Sequence, residues 1–176
     1  GNENLCPDFR ATGRDANGGY AEYAAVSEDF AYKIPEVFTD SQAAPLLCAG
    51  AIGYRSMRLS EVADHQNLGL TGFGASAHLV LKMVKHKFPD CATYVFARSA
   101  REREFARELG AVWVGEAQDE PPQKLDRAII FAPVGWIIPE ALKHLRKAGT
   151  LSINAIHMSD IPQIPYNLLW HERTIR

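Results

Sequence analysis

Beyond Asn67 the chain alternates short apolar runs with longer amphipathic stretches, and the connections between them are short. Short apolar runs indicate buried strands, and the amphipathic stretches indicate helices. Regular alternation of the two predicts an α/β fold, a doubly wound parallel sheet with helices on both faces. The predicted strands cover residues 68–71, 93–97, 112–114, 125–131 and 150–154, and the predicted helices 75–87, 101–109 and 138–147.

The residues before this region follow another pattern. Residues 1–20 are rich in Gly, Asn and Asp and predict loop, whereas residues 20–34 alternate apolar and polar positions and predict antiparallel strand. Helices are predicted over residues 42–47 and about 51–59. This part is expected to lie at the periphery of the later core.

A Gly-x-Gly-x-x-Ala turn joins the first predicted strand of the sheet to the first long helix. Gly72 permits a tight turn, Gly74 lets backbone approach a phosphate closely, and Ala77 lets the helix lie against the strand. The context favours a dinucleotide pyrophosphate on the helix N-terminus, with a merely structural turn as the alternative. The predicted binding residues are Gly72, Phe73, Gly74, Ala75, Ser76 and Ala77.

The end of the second predicted strand indicates which dinucleotide is preferred. An acidic residue there usually binds the ribose hydroxyls, but this chain has Ala97, Arg98 and Ser99, followed by Arg101 and Arg103. We expect no carboxylate at this place to repel a 2′-phosphate, and a guanidinium able to pair with it. NADP is therefore favoured as cofactor, with NAD possible; a solvated basic turn is the alternative.

The thiols and imidazoles form no local metal motif. Cys6, Cys48 and Cys91 are widely spaced and odd in number, which argues against a disulfide framework and for a reducing compartment, the cytoplasm. Cys91 is interpreted as core, and Cys48 as either a metal ligand or a buried apolar side chain. His157 follows the last predicted strand, at the carboxyl edge of the sheet where a ligand would face it.

Composition narrows the classes of partner. The 176 residues are 47% hydrophobic and 23% charged, typical of a soluble globular protein. A net charge of -2 gives no basic excess for nucleic acid, and no apolar run approaches the roughly 20 residues of a membrane span. Because the chain begins at Gly1 rather than methionine, we expect a piece of a longer protein.

Several further segments match one known family. They are Asn4-Leu5-Cys6, Gly18 to Tyr23, Leu46-Leu47-Cys48-Ala49-Gly50, Phe131 to Gly135, Ile156 to Pro162, and Leu169 to Arg173. Together with the glycine turn they make the chain resemble the zinc-dependent alcohol dehydrogenases of the medium-chain dehydrogenase superfamily. The resemblance implies hydride transfer between a small-molecule alcohol or aldehyde and a nicotinamide cofactor.

The resemblance also implies a domain plan. Residues 1–50 would be a partial GroES-like catalytic domain with an antiparallel strip, and residues 51–176 a Rossmann-type dinucleotide-binding domain, truncated at its C-terminus. Cys48 would be the catalytic residue that binds the catalytic zinc, and Cys6 would bind the structural zinc. The other ligands would precede Gly1, so we expect zinc in the intact protein and no activity in this chain alone.

The resemblance places the nicotinamide side of the cofactor at the ends of the last two predicted strands. The implied residues are Ala132, Pro133, Val134, Ala155 and Ile156. Two alternative functions stay open: a dinucleotide-binding module without chemistry, and a zinc-free quinone reductase relative. Ile52 stands where many relatives carry a threonine near the substrate, which leaves the choice of alcohol open.

An assembly prediction concerns the C-terminal region. Residues 161–169 contain Pro162 and Pro165 and fit an edge strand better than a central one. The resemblance places a subunit-pairing strand there. We expect a homodimer or larger assembly through this edge.

Overall fold

A computed structural model describes residues 2–176. The chain divides into two compact units, one up to Thr39 and one from Asp40 to Arg176. This division falls earlier than the predicted boundary at residue 50. The assignment of the first part to a GroES-like domain stays a prediction.

The unit that ends at Thr39 has little regular structure. It contains two short 3₁₀ helices, Glu3–Leu5 and Glu28–Phe30, and an isolated bridge between Thr12 and Ala16. The antiparallel strand predicted over residues 20–34 is wrong, because no residue of that range is in a strand. An extended segment becomes a strand only by pairing with another, and the described residues of this unit provide no partner strand for it.

The second unit is built on one parallel sheet, which confirms the predicted α/β class and Rossmann-type architecture. Within residues 40–176 the strand order is β3-β2-β1-β4-β5-β6, and every pairing is parallel. The order reverses beside β1, where the crevice for a ligand opens in sheets of this kind. The strands are β1 Asn67–Thr71, β2 Ala92–Phe96, β3 Trp113–Gly115, β4 Leu125–Ile130, β5 Leu145–Ile153 and β6 Thr174–Ile175.

Helices connect β1 to β2, β2 to β3 and β4 to β5 as predicted, with shifts at their ends. Ahead of the sheet, a 3₁₀ helix, Ala44–Leu47, separates the first two α-helices. None of the described helices has both the length and the apolar character that crossing a membrane would take. The α-helices are α1 Asp40–Ala43, α2 Ala49–Ser60, α3 Ala75–Lys87, α4 Ala100–Glu108 and α5 Ile137–His144.

Helix α5 ends before its predicted limit at residue 147. Leu145 is only 1% exposed and pairs with Leu125 of β4, so the chain passes directly from α5 into β5. Ala148, with φ 57, is also incompatible with a continuing helix. Burial of Leu145 therefore outweighs the helical pattern of the sequence.

The edge strand predicted over residues 161–169 is wrong. This range contains a 3₁₀ turn, Tyr166–Leu168, and the edge of the sheet is β6. Proline nitrogens cannot donate to a strand ladder. The Arg173 guanidinium donates to the carbonyls of Leu168 and Trp170 at 3.5 and 3.1 Å, which stabilises a turn.

Two apolar clusters cover the two faces of the sheet. One packs α2 and α3 against side chains such as Leu70 and Ile129, and the other packs α5 against side chains such as Ile130 and Leu151. Cys91 lies in the first cluster at 1% exposure, as predicted, and burial raises the pKa of its thiol to about 11. The double cover is what a parallel sheet requires.

Candidate dinucleotide-binding site

The turn after β1 is shaped by the backbone of Gly72. This residue has φ 84 and donates its N–H to the Phe96 carbonyl at 2.8 Å. A Cβ atom at this position would be 2.9 Å from the backbone nitrogen of Ala132. Glycine is therefore required here by the protein itself.

Gly74 has no such requirement. Its backbone is extended, with φ -88 and ψ -160, and a Cβ atom built on it would meet no protein atom within 4 Å. No neighbouring atom of the described residues requires a glycine at this place, although glycine is acceptable at a helix N-cap. A group that approaches the backbone closely would explain it, and a phosphate is such a group in turns of this type.

The N-terminus of α3 completes the turn. The first N–H groups of a helix have no acceptor within the helix, and the helix dipole makes this end positive. Gly74 caps α3 without a side-chain hydrogen bond, and the first turn carries no acidic residue. Ala75 and Ser76 therefore present backbone donors suited to an anion, while Ala77 is fully buried where the helix meets the sheet.

Phe73 and His78 pack against Phe105 of α4, next to the turn. Phe73 is 4% exposed in the core, and its ring meets Phe105 of α4 edge-on with the centroids 6.0 Å apart. The His78 ring lies 5.8 Å from the Phe105 ring, and its Nδ1 is 3.2 Å from the Gly74 carbonyl. Phe73 thus offers a ligand its backbone rather than its side chain.

The turn between β2 and α4, together with the first turn of α4, carries three arginines with different surroundings. Arg98 and Arg101 are exposed, as is Ser99 at the N-cap of α4. The Arg103 side chain is only 22% exposed and folds back under the turn. Its Nη1 donates to the carbonyls of Ala97 and Arg98 at 2.7 and 2.9 Å, so Arg103 holds the turn and does not project from it.

A carboxylate also reaches this turn, which sequence reasoning missed. Glu116, directly after β3, accepts a hydrogen bond from Arg103 Nη1 at 3.2 Å. The end of β2 itself carries no carboxylate, as the sequence shows, but the neighbouring strand supplies one beside it. The one available signal was position: Glu116 follows a strand at the carboxyl edge of the sheet.

The loops after β4 and β5 are joined to each other. Ser159 accepts a hydrogen bond on Oγ from the Gly135 N–H at 2.9 Å, and its own N–H donates to the Pro133 carbonyl at 3.4 Å. A Cβ atom on Gly135 would be 2.1 Å from the Asp160 carbonyl oxygen, so the two loops approach as closely as glycine allows.

The residues predicted for the nicotinamide side lie in these loops. Ala132 and Val134 are half-buried, and Pro133 is exposed between them. The Ala132 N–H donates to the Thr71 carbonyl at 3.3 Å, which places this loop beside the glycine turn. After β5, Ala155 is half-buried, whereas Ile156 and His157 are exposed. His157 has φ 56.

The two thiols assigned to zinc are both exposed. Cys48 is the N-cap residue of α2, and Cys6 follows the first 3₁₀ helix of the other unit. Within residues 2–176 no three His, Cys, Asp or Glu side chains are grouped to hold a metal. Protein zinc sites take three or four protein ligands, so the described residues do not by themselves form one.

The sheet order, the glycine turn and the loops at the carboxyl edge define a Rossmann-type dinucleotide-binding fold. The chain is 47% identical over 177 residues to "Probable alcohol dehydrogenase AdhA" of Mycobacterium tuberculosis, across 100% of this chain and 51% of the relative. Other matching relatives are also named alcohol dehydrogenases. This confirms the predicted resemblance to alcohol dehydrogenases.

Solved structures confirm the fold. Acetophenone reductase from Geotrichum candidum in complex with NAD matches with a TM-score of 0.87 at 19% identity, over 100% of this chain and 52% of that one. CAD from Helicobacter pylori complexed with NADP(H) matches with a TM-score of 0.65 at 24% identity, over 76% and 39%. No family model matches the chain. The chain spans about half the length of the relatives it matches.

Proposed function

We propose that this chain is the coenzyme-binding part of an oxidoreductase that passes a hydride between an alcohol or aldehyde and a nicotinamide dinucleotide. The observation that carries the proposal is Gly74, a glycine that neither the backbone conformation nor any neighbouring atom requires. It stands at the N-terminus of α3, where a pyrophosphate would approach it. The alcohol dehydrogenase names of the relatives support the reaction class.

The residues of the chain would bind and orient the coenzyme along the carboxyl edge of the sheet. Backbone N–H groups of Ala75 and Ser76 would hold the pyrophosphate, and Arg98 with Ser99 would bind the adenosine ribose. The nicotinamide ring, when bound, supplies the carbon that accepts or donates the hydride. The joined loops after β4 and β5 would hold that ring, with the half-buried Ala132, Val134 and Ala155 among the residues that would contact it.

The preferred coenzyme in this proposal is NADP, with NAD as the second choice. Arg98 is exposed at the end of β2, and no described residue pairs with it. A guanidinium in that position suits a 2′-phosphate because it pairs with two phosphate oxygens at once. Solved neighbours contain either coenzyme, which supports the nicotinamide class and leaves the choice to these side chains.

Zinc dependence is part of the proposal only for a longer protein. Cys48 and Cys6 offer one thiolate each, fewer than zinc requires, so no step described here depends on the metal. For the same reason we propose that this chain alone does not oxidise alcohols. Dimer formation, a place in the cytoplasm and the roles of Ala97 to Arg103 likewise remain proposals.

Direct titration tests the proposal. The 176-residue chain, titrated with NADPH and separately with NADH while the fluorescence of the reduced ring is recorded, should bind both saturably, NADPH more tightly. A non-catalytic module would bind equally well, so zinc analysis and alcohol oxidation by a longer protein must distinguish the two classes. Absence of saturable binding to either coenzyme would contradict the proposal.

A further inference from the structure

The ion pair between Arg103 and Glu116 lies where the adenosine ribose would bind. One nitrogen atom, Arg103 Nη1, contacts the Ala97 carbonyl at 2.7 Å, the Arg98 carbonyl at 2.9 Å and the Glu116 Oε1 at 3.2 Å. Because a single atom contacts all three oxygens, the Glu116 carboxylate is held a few ångströms from the end of β2. That is well within the screening length of about 8 Å in physiological salt.

Local structure fixes the backbone of Glu116, whose side chain is 60% exposed. The Asp119 side chain accepts a hydrogen bond from the Glu116 N–H at 2.7 Å, which closes a short turn directly after β3. Gly115, just before it, lies against the Trp113 ring, where a Cβ atom would be 2.3 Å from the nearest ring carbon. The backbone that carries the Glu116 side chain is therefore held in place directly after β3.

Some of the charged side chains around this point are paired with an opposite charge, and others are not. Glu116 is paired with Arg103, whereas Arg98 and Arg101 have no partner among the described residues. With the pair intact, the negative charge of Glu116 is compensated and the two free arginines dominate the turn. Without Arg103, an uncompensated carboxylate would face the same region.

We infer that the Arg103–Glu116 pair sets the discrimination between a 2′-phosphate and a 2′-hydroxyl on the coenzyme. The inference rests on the proposed dinucleotide binding and makes Arg103 a positioning residue, since its guanidinium contacts the protein and not the ligand. Arg103 compensates Glu116 and fixes the turn that carries Arg98. Glu116 limits how strongly the site favours the phosphorylated coenzyme.

The test is the ratio of the dissociation constants for NADPH and NADH in single and double variants. Glu116→Gln removes a negative charge and should shift the ratio toward NADPH by about threefold to tenfold. Arg103→Met leaves that charge uncompensated and should shift the ratio toward NADH by a similar factor. It should also weaken the binding of both coenzymes, because the turn loses the contacts that hold it. The double variant should return the ratio close to that of the unsubstituted chain.

A matched control lies on the same helix. Glu104 pairs with Arg107 at 2.8 Å on an exposed part of α4, so Glu104→Gln changes the net charge equally at another place. The ratio of the NADPH and NADH dissociation constants should stay unchanged in Glu104→Gln. If Arg103 were purely structural, its replacement would weaken the binding of both coenzymes alike and leave every ratio of the two dissociation constants unchanged.

The outcomes separate the two claims. If the unsubstituted chain binds neither coenzyme, the proposed function fails and the inference fails with it. If it binds them but Glu116→Gln leaves the ratio unchanged, or Glu104→Gln moves it as much, the inference alone is overturned. Glu116→Gln keeps the carbonyl contacts of Arg103, so it remains informative even if Arg103→Met does not fold.

Discussion

At the scale of single residues, two glycines of one turn have different causes. Gly72 has a positive φ, and a Cβ atom there would collide with the backbone of Ala132 just after β4, so the fold requires it. Gly74 has neither feature, and although glycine is acceptable at a helix N-cap, a ligand that approaches the backbone closely would account for the missing side chain. The sequence motif predicted both glycines. Only the structure distinguishes Gly72, which serves stability, from Gly74, which would serve binding.

Gly72→Ala should therefore destabilise the chain. The added methyl group would lie 2.9 Å from the Ala132 nitrogen, and alanine is strained at φ 84. We expect a loss of about 1–3 kcal/mol in the free energy of unfolding, measured by urea denaturation. Gly19→Ala is the control, because no atom lies within 4 Å of its added Cβ. Equal stability of the two variants would contradict the described turn.

His144 provides a pH-dependent prediction. Its ring stacks on Phe96 at 5.2 Å, and its Nε2 lies 3.2 Å from the Ala117 carbonyl. Burial lowers the pKa of His144, and the contact with the Ala117 carbonyl opposes this effect only in part. The folded state thus binds this proton less readily than the unfolded chain, so its contribution to stability is present above the unfolded pKa of about 6.5 and is lost as pH falls below it.

The check is the free energy of unfolding measured at intervals between about pH 7.5 and 5.5. His144→Gln, which keeps a donor for the Ala117 carbonyl, should lose less stability over this range than the unsubstituted chain. His86→Gln, at an exposed position of α3, should retain the full dependence. Identical pH profiles for the two variants would refute the role of His144.

At the scale of elements, local signals decided which predictions held. Helix α3 was predicted at its observed limits, residues 75–87, because a glycine turn marks its start and the apolar period is clear. The strands over 20–34 and 161–169 were wrong because a strand depends on a partner that the sequence pattern cannot supply. The contact of Glu116 with Arg103 was missed because it joins β3 to α4, which only tertiary structure brings together.

The joined loops after β4 and β5 give a prediction at this scale. Ser159→Ala removes the acceptor of the Gly135 N–H and should loosen the two loops, leaving only the backbone bond from the Ser159 N–H to the Pro133 carbonyl between them. Because these loops would hold the nicotinamide half, the affinity for NADPH should fall by about threefold to tenfold, while that for 2′-phospho-AMP, which lacks this half, stays constant. Ser27→Ala is the control, since its side chain makes no capping bond. An equal loss for both ligands would contradict this role.

At the scale of the whole molecule, the unit from Asp40 to Arg176 contains the complete proposed coenzyme site. The resemblance to alcohol dehydrogenases was predicted from short segments spread along the chain, and the relatives confirmed it. The zinc sites could not be tested in the same way, because each has only one predicted ligand within residues 2–176. We therefore propose, above all, that the turn at Gly74 holds a pyrophosphate.

The most direct test compares thermal shifts of the chain and of Gly74→Val with saturating NADPH. The Cβ atom of the valine would meet no protein atom within 4 Å, so the melting temperature without ligand should change by no more than a few degrees. NADPH should raise the melting temperature of the unsubstituted chain and of Gly19→Val, and should leave that of Gly74→Val unmoved. An equal rise in Gly74→Val would show that no pyrophosphate lies at this turn and would contradict the account.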